Sequence, residues 1–233
     1  MEEEIGSILM TTAKMSPNRE DYLKMIFELG GDTKKVSNKQ ILGGLKVSAA
    51  SVSEMISKLV DEHYVDHTPY QGIQLTKKGI KAAALLIRKH RLWEVFLVKK
   101  LHYAFNTVHP EAEVLEHVTT TELAQHLDAF LDFPKRCPHG GVIPDANGNF
   151  EQQSHESLAS LQVGETARID RFIDDRELLD YIREIDLAID DKITVQKIGS
   201  FASAITIFDQ RKQKKLQIAL KAAEHIFVDK EMK

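Results

Sequence analysis

Four residues of the stretch VHPEAEVLEHV, His109, Glu113, Glu116 and His117, are spaced so that a helix would carry them on neighbouring turns of one face. Imidazole and carboxylate are the side chains that bind divalent first-row metals. A solvated acidic helix would show the same letters, and the spacing alone leaves both readings open. A second pair, His90 and Glu94 at i,i+4 in RKHRLWEVF, lies close upstream and favours the metal reading. The lone cysteine, Cys137, stands in a Cys-Pro-His segment with His139. By itself that segment is as compatible with a small core residue as with a ligand. A metal-dependent hydrolase built on the same clusters would need an open coordination position and a base beside it, and the sequence carries no HExxH or comparable signature.

A chain of 233 residues, 42% hydrophobic and 28% charged, is long enough for two or three small domains of an ordinary soluble protein. No apolar run approaches the roughly 20 residues of a membrane helix. The stretch MEEEIGSILMTTAK has neither the basic region nor the apolar core of a secretory signal. One cysteine excludes an internal disulfide, and the expected location is the cytoplasm. The net charge of −4 hides an asymmetry: residues 15–103 hold 15 Lys and Arg against 9 Asp and Glu, and residues 104–233 hold 15 against 23. Only the first half is suited to face a polyanion such as nucleic acid.

Upstream of the candidate ligands the pattern runs helix, helix, turn, helix, hairpin. Tyr22, Leu23, Ile26, Phe27 and Leu29 recur at helical spacing after Ser16-Pro17 and stop at Gly30-Gly31. Ser37 can cap a second helix, NKQILGGL. Val47-Ser48 opens a third, AASVSEMISKLVDEH, with Val52, Met55, Ile56, Leu59 and Val60 on one face. Two extended runs, Tyr64 to His67 and Ile73 to Thr76, flank Pro69 and Gly72 as in a hairpin. This is the order of a winged helix-turn-helix, and it assigns the third helix to DNA. Ser48, Ala49, Ala50, Ser51 and Ser53 are small enough for the backbone to approach a groove, and their hydroxyls can meet phosphates or base edges. Lys39, Lys46, Lys58, Lys77 and Lys78 would contact the phosphate backbone. With no Arg, Asn or Gln in the first turn, base reading should be modest.

A long helical pattern follows from Lys78 to His102, then a second helix from Glu111 to about Phe130. Their apolar residues, including Leu85, Leu86, Leu92, Trp93, Phe96 and Leu97, exceed what one short hairpin buries, which points to a dimer interface. The turn-rich CPHGGVIPDANGNF leads to three extended runs, ETARIDRFI, DKITVQKIG and SAITIFD, with a helix in DDRELLDYIREID. LQIALKAAEHIFV reads either as a strand and a helix or as a strand pair. Such a set suggests a small β-barrel of the SH3-like kind.

From Met15 onward these residues resemble the diphtheria-toxin-repressor and manganese-transport-regulator family of metal-dependent transcriptional repressors, most specifically in RKHRLWEVFLVKKL and VHPEAEVLEHV. The likeness is greatest to its three-domain manganese sensors. It implies a mainly α chain with small β parts: an N-terminal extension over 1–14, a winged helix-turn-helix DNA-binding domain over 15–78, a helical metal-binding and dimerisation domain over 79–140, a linker over 141–154, and an SH3-like, FeoA-like β-barrel domain over 155–233.

The resemblance also implies a primary metal site of Asp21, Glu113, Glu116 and His117. Iron-responsive members typically carry Met and Cys where Asp21 and Glu113 stand. Carboxylates are harder ligands, which is the ground for expecting Mn2+, with Fe2+, Zn2+ or Cd2+ also able to bind in vitro. Lys24 stands where the two-domain manganese branch has a glutamate, so a closely paired two-metal cluster is not expected. The three-domain sensors imply instead a second site of Glu94, Cys137, His139 and Asp174, with Asp175 as the neighbouring alternative to Asp174 and with His90 and His109 as further candidates. That makes about two ions per subunit. The implied function is repression without catalysis: Mn2+ locks a homodimer into a DNA-binding conformation at operators of metal-uptake genes, with no membrane partner. An iron- or zinc-responsive regulator of the same fold is the alternative.

Overall fold

The computed structural model describes residues 15–45, 47–200 and 203–230. Residues 1–14, expected as an extension, and Lys46, expected at the DNA, lie outside the described residues. The chain divides into two compact units, one up to residue 83 and the other from residue 84. No described helix is long and apolar enough to cross a membrane.

The first unit begins with α1 (Pro17–Glu28), α2 (Asn38–Leu45) and α3 (Ala49–Asp61), followed by the antiparallel hairpin β1 (Val65–Thr68) and β2 (Gly72–Leu75). Pro17 opens α1 because the first turn of a helix has no use for its missing N–H. Gly30, at φ +88°, reverses the chain after it, and the Gly31 N–H closes on the Ile26 carbonyl at 2.8 Å. Tyr22, Leu23 and Ile26 of α1 pack with Ile41 of α2, with Val52, Ile56 and Leu59 of α3, and with Val65, Ile73 and Leu75 of the hairpin. Met55 and Val60, expected on the same α3 face, are only partly buried. Val36 bridges to Ile73 alongside the hairpin. Lys35 then reaches the turn, donating to Gln71 Oε1 at 2.6 Å and Thr68 Oγ1 at 3.1 Å.

The long helix α4 (Lys77–Leu101) begins in the first unit and continues into the second. The single helix expected from Glu111 to Phe130 is two, α5 (His109–Val118) and α6 (Thr121–Phe130). Three consecutive threonines explain the break: Thr119 turns extended, and Thr120 Oγ1 caps α6 by accepting the Leu123 N–H at 3.1 Å. The apolar surplus also falls elsewhere than expected. Leu86, Leu92 and Leu97 are buried within the unit, whereas Val114 and Val118 of α5 and Leu123 and Phe130 of α6 stand exposed.

The rest of the unit is β3 (Thr166–Phe172), α7 (Arg176–Glu184), β4 (Lys192–Ile198), β5 (Ala204–Asp209), β6 (Lys214–Ala219), the single turn α8 (Leu220–Ala223) and β7 (Ile226–Lys230). LQIALKAAEHIFV is therefore strand, helical turn and strand. The five strands form an antiparallel sheet in the order β6-β5-β4-β3-β7. Register shifts in β3 and β4 mark bulges, which bend a strand and help a small sheet curl over its core. Ile169, Leu179, Ile182, Ile193, Ile207 and Val228 lie in that core. Phe105, from the α4–α5 loop, packs against it, and the adjacent Asn106 Nδ2 donates to Asp180 Oδ1 at 2.5 Å.

Candidate metal centre

The α5 cluster is local. Glu113, Glu116 and His117 place a donor atom each within 4.8 Å of one another. Glu116 is fully buried, His117 nearly so, and Glu113 rests at the rim with over a third of its side chain exposed. His117 Nε2 lies 3.6 Å from Glu116 Oε1. Asp21, the fourth expected donor, is half-buried on α1 of the first unit, and Lys24 is buried on the same helix.

Beside this cluster lies a pocket assembled from four places in the chain. The helix α4 supplies His90 and Glu94 one turn apart, 3% and 1% exposed, and α5 supplies His109 at its first residue. Cys137 and His139 come from a tight turn in which the Cys137 N–H bonds the Gly141 carbonyl and the Gly140 N–H bonds the Cys137 carbonyl. Gly140 holds φ +87°, which a side chain would resist. Asp174 arrives from the β3–α7 connection. Its neighbour Asp175 is spent elsewhere, capping α7 by accepting the Leu178 N–H at 2.9 Å.

The orientation of His139 is fixed from behind. Its Nε2 lies 2.6 Å from the Phe105 carbonyl, to which it donates, so that Nδ1 faces Glu94 Oε1 at 3.0 Å. That 3.0 Å contact lacks hydrogen-bond geometry, and buried His139 Nδ1 has no hydrogen-bond partner among the described residues. An imidazole held by a backbone carbonyl, with its other nitrogen presented to a carboxylate oxygen, is the arrangement a metal-binding histidine adopts. Asp174 Oδ1 is likewise buried without a hydrogen-bond partner among the described residues, while Oδ2 lies 2.6 Å from His109 Nδ1 and 3.3 Å from His90 Nε2. The residues fit a divalent cation.

Opposite charges shift one another in the pocket. Burial opposes protonation of His139, but the Glu94 carboxylate, with Cys137 and Asp174 behind it, outweighs burial and pushes the imidazole up to about 12. Burial and Asp174 raise the Glu94 carboxyl, and His139 and His90 overcome both to hold it below its ordinary value. Burial also opposes ionisation of Asp174, yet His109 and His90 keep it well below the usual carboxylate range. Burial pushes the Cys137 thiol up, with Glu94 adding to it.

His90 and His109 touch both clusters. His90 Nε2 lies 3.2 Å from Glu94 Oε1 and its Nδ1 contacts Glu116. His109 Nε2 lies 3.2 Å from Glu113 Oε2. Sequence reasoning ranks these two behind the other ligands because the resemblance places them with the iron-responsive members' equivalent site.

The expected DNA-contacting residues of α3 are all at the surface. Ser48, Ala49, Ala50, Ser51 and Ser53 are exposed, as is Lys39. The serine hydroxyls also serve the helix: Ser48 Oγ accepts the Ser51 N–H at 3.1 Å, and Ser53 Oγ donates to the Ala49 carbonyl at 3.1 Å. Lys58 pairs with Glu54 at 2.7 Å, and Lys78 Nζ donates to the Glu62 carbonyl at 2.8 Å; both lysines stay exposed. Tyr70, at the hairpin tip, holds φ +63° with its ring fully in solvent.

Known proteins resemble this chain along most of its length. Residues 14–73 match the N-terminal DNA-binding domain of the iron-dependent repressors, residues 76–145 match their metal-binding and dimerisation domain, and residues 156–230 match the FeoA domain. The structure of the manganese regulator SloR is 40% identical, covers 93% of this chain and 100% of its own, and superimposes with a TM-score of 0.80. A manganese-dependent transcriptional repressor solved in complex with manganese is 35% identical, covers 91% of this chain and 100% of its own, and gives a TM-score of 0.83. The diphtheria toxin repressor of Corynebacterium efficiens is 28% identical over 170 residues, 71% of this chain and 74% of that one.

Proposed function

The chain belongs to the diphtheria-toxin-repressor family of metal-dependent transcriptional repressors, and from that premise we propose that it is a manganese-responsive repressor acting as a homodimer on operator DNA. The observation that carries the choice of metal is the donor set on α5: Glu113, Glu116 and His117 offer two carboxylates and an imidazole, with no sulfur. Mn2+ favours such hard donors, and the absence of thiolate removes the advantage of softer ions.

Asp21, on α1 of the DNA-binding unit, is the fourth donor in this reading. A divalent cation, when bound, supplies the positive charge that lets these carboxylates converge. Without it, Asp21, Glu113 and Glu116 repel, and the DNA-binding units sample more orientations than two half-sites accept. In the pocket, Glu94, Cys137, His139 and Asp174 are the residues that would hold a second ion. The exposed apolar side chains of α5 and α6 supply the homodimer contact. Towards DNA, α3 presents its small first turn, Lys39 contacts phosphate, and the wing tip offers Tyr70.

Operator binding titrated with Mn2+, Fe2+ and Zn2+ at fixed ionic strength tests the assignment, with bound ions counted per chain. Salt is held constant because phosphate contacts respond strongly to it. Mn2+ should activate at the lowest free concentration relative to its supply. Activation by Fe2+ or Zn2+ alone would overturn the choice of manganese.

A further inference from the structure

The face of α3 turned away from the core carries one long polar side chain at its centre. Val52, Ile56 and Leu59 are buried, and Ala50, Glu54 and Ser57 lie on the opposite side, all exposed. From Ser48 to Ser57, Glu54 is the only charged residue. The serines before it are short and already engaged: Ser48 Oγ and Ser51 Oγ lie 2.8 Å apart, and Ser53 Oγ turns back onto the Ala49 carbonyl. Glu54, one turn after Ala50 and with its side chain 71% exposed, therefore reaches furthest from this part of the helix.

A carboxylate is a demanding group to bring to DNA. It accepts hydrogen bonds and donates none, so it is repelled by phosphates and meets a base edge favourably only where that edge offers an N–H. In the major groove guanine and thymine edges present acceptors, while cytosine offers its N4 amino group and adenine its N6 amino group. Adenine N7 is an acceptor beside that amino group and opposes the second carboxylate oxygen; cytosine has no acceptor of its own in that groove. On the protein side, Lys58 Nζ bonds Glu54 Oε1 at 2.7 Å, and this bond holds the carboxyl below its ordinary value. An exposed i,i+4 pair is held weakly, so the ammonium can swing to a phosphate and leave the carboxylate to the bases.

We propose that Glu54 is the specificity residue of α3, accepting a hydrogen bond from cytosine N4 and rejecting guanine and thymine at that position by repulsion. The proposal rests on the reading of α3 as the helix that faces DNA. Its selectivity is largely negative: a duplex with no donor at that place leaves a carboxylate stripped of water and facing acceptor atoms. The small residues around Glu54 bring the helix close, and the carboxylate decides where closeness is tolerated.

The test starts from the full chain loaded with Mn2+, which selects duplexes from a random pool; the selected site is then changed one base pair at a time. One position of each half-site should require a C·G pair. Changing it to U·A, which puts an O4 acceptor where the N4 donor stood and adds no methyl group, should weaken binding about tenfold or more. Glu54→Ala should cut that loss to under about threefold and should tighten binding to unrelated duplexes, because a charge that repels phosphates is gone. Glu54→Gln should move the preference towards adenine, whose N6 and N7 an amide matches. A selected site with no C·G requirement overturns the proposal, as does a Glu54→Ala protein that keeps the full preference or binds every duplex more weakly by the same factor. Ala50→Asp separates these failures from a wider one, since a second negative charge one turn earlier should abolish operator binding. If Ala50→Asp binds normally, α3 does not face DNA; if it does not bind and Glu54→Ala alters no preference, only the role of Glu54 falls.

Discussion

The two donor clusters of the second unit are built in opposite ways. On α5 the donors lie within residues 113–117 of one short helix, with Glu113 open to solvent at the rim. In the pocket they come from α4, the start of α5, a glycine-bearing turn and the β3–α7 connection, and Glu94 and His139 are almost wholly buried. A cluster held on one helix, with Glu113 at a solvent-facing rim, gives an ion a direct way in. The pocket's donors are largely buried, and any proton they carry must leave before an ion is bound.

The largest effect separating them should be on DNA binding. Glu113→Ala or His117→Ala should lower Mn2+-stimulated operator binding by about 100-fold or more while the dimer stays folded, since even loss of a supporting partner costs a metal site 10- to 100-fold. Cys137→Ala combined with His139→Ala should cost less and should remove one ion per chain, leaving the other. Band shifts in which both variants fail equally would erase the distinction.

Next in size is a change that both clusters should feel through α4. Arg88 is buried, donating to Asp128 Oδ2 at 2.7 Å and to the Pro144 carbonyl at 2.8 Å. Arg88→Ala leaves the part-buried Asp128 carboxylate unpaired and should lower stability by about 1–3 kcal/mol in urea denaturation. A loss under 1 kcal/mol would show that the helical frame does not depend on this pair.

Adjacent aspartates give a finer test. Asp175→Ala removes a helix cap and should cost about 1 kcal/mol with no change in ions bound. Asp174→Ala should change the ion count instead. If thermal melts and metal counts show the two variants to be alike, the assignment of Asp174 to the pocket fails.

The smallest effect is on acid stability. Burial raises the Asp191 carboxyl, but Arg211 and the Ala188 N–H outweigh burial and hold it below the ordinary carboxylate range. A group whose folded value is depressed stabilises fully above its unfolded value, near pH 4, and that stability is lost as pH falls through the folded value. The FeoA-like sheet should therefore hold through mild acid and weaken only below about pH 4, as near-ultraviolet circular dichroism can follow. Asp191→Asn should lower its stability at neutral pH and flatten that acid transition.

Legibility in the sequence follows the same division as the clusters. Glu113, Glu116 and His117 could be read directly, because helical periodicity turns spacing into geometry. The winged order was legible for the same reason, with Val52, Ile56 and Leu59 marking the core face of α3. Of the pocket, spacing shows only the His90 and Glu94 pair on α4; nothing local brings Asp174 to His109, and Cys137, His139 and Asp174 came as ligands from family resemblance. Periodicity also ran through the break at Thr119, where side-chain capping overrode an otherwise helical pattern. Nor could it separate Asp174 from Asp175, because which one caps α7 depends on where β3 releases the chain.

One edge of the β-sheet has a consequence for handling the protein in concentrated solution. An open edge strand offers unpaired amides to any other strand and so invites fibrous aggregation. Strand β6 lies at such an edge; the Tyr181 hydroxyl already donates to its Gln217 carbonyl and accepts its Ala219 N–H, and the strand carries exposed Lys214 and Lys215. Two adjacent ammonium groups make a like-charged border that a second copy cannot approach edge to edge without bringing cations together. The chain is thereby free to associate through its helices while its sheet stays out of amyloid-like pairing.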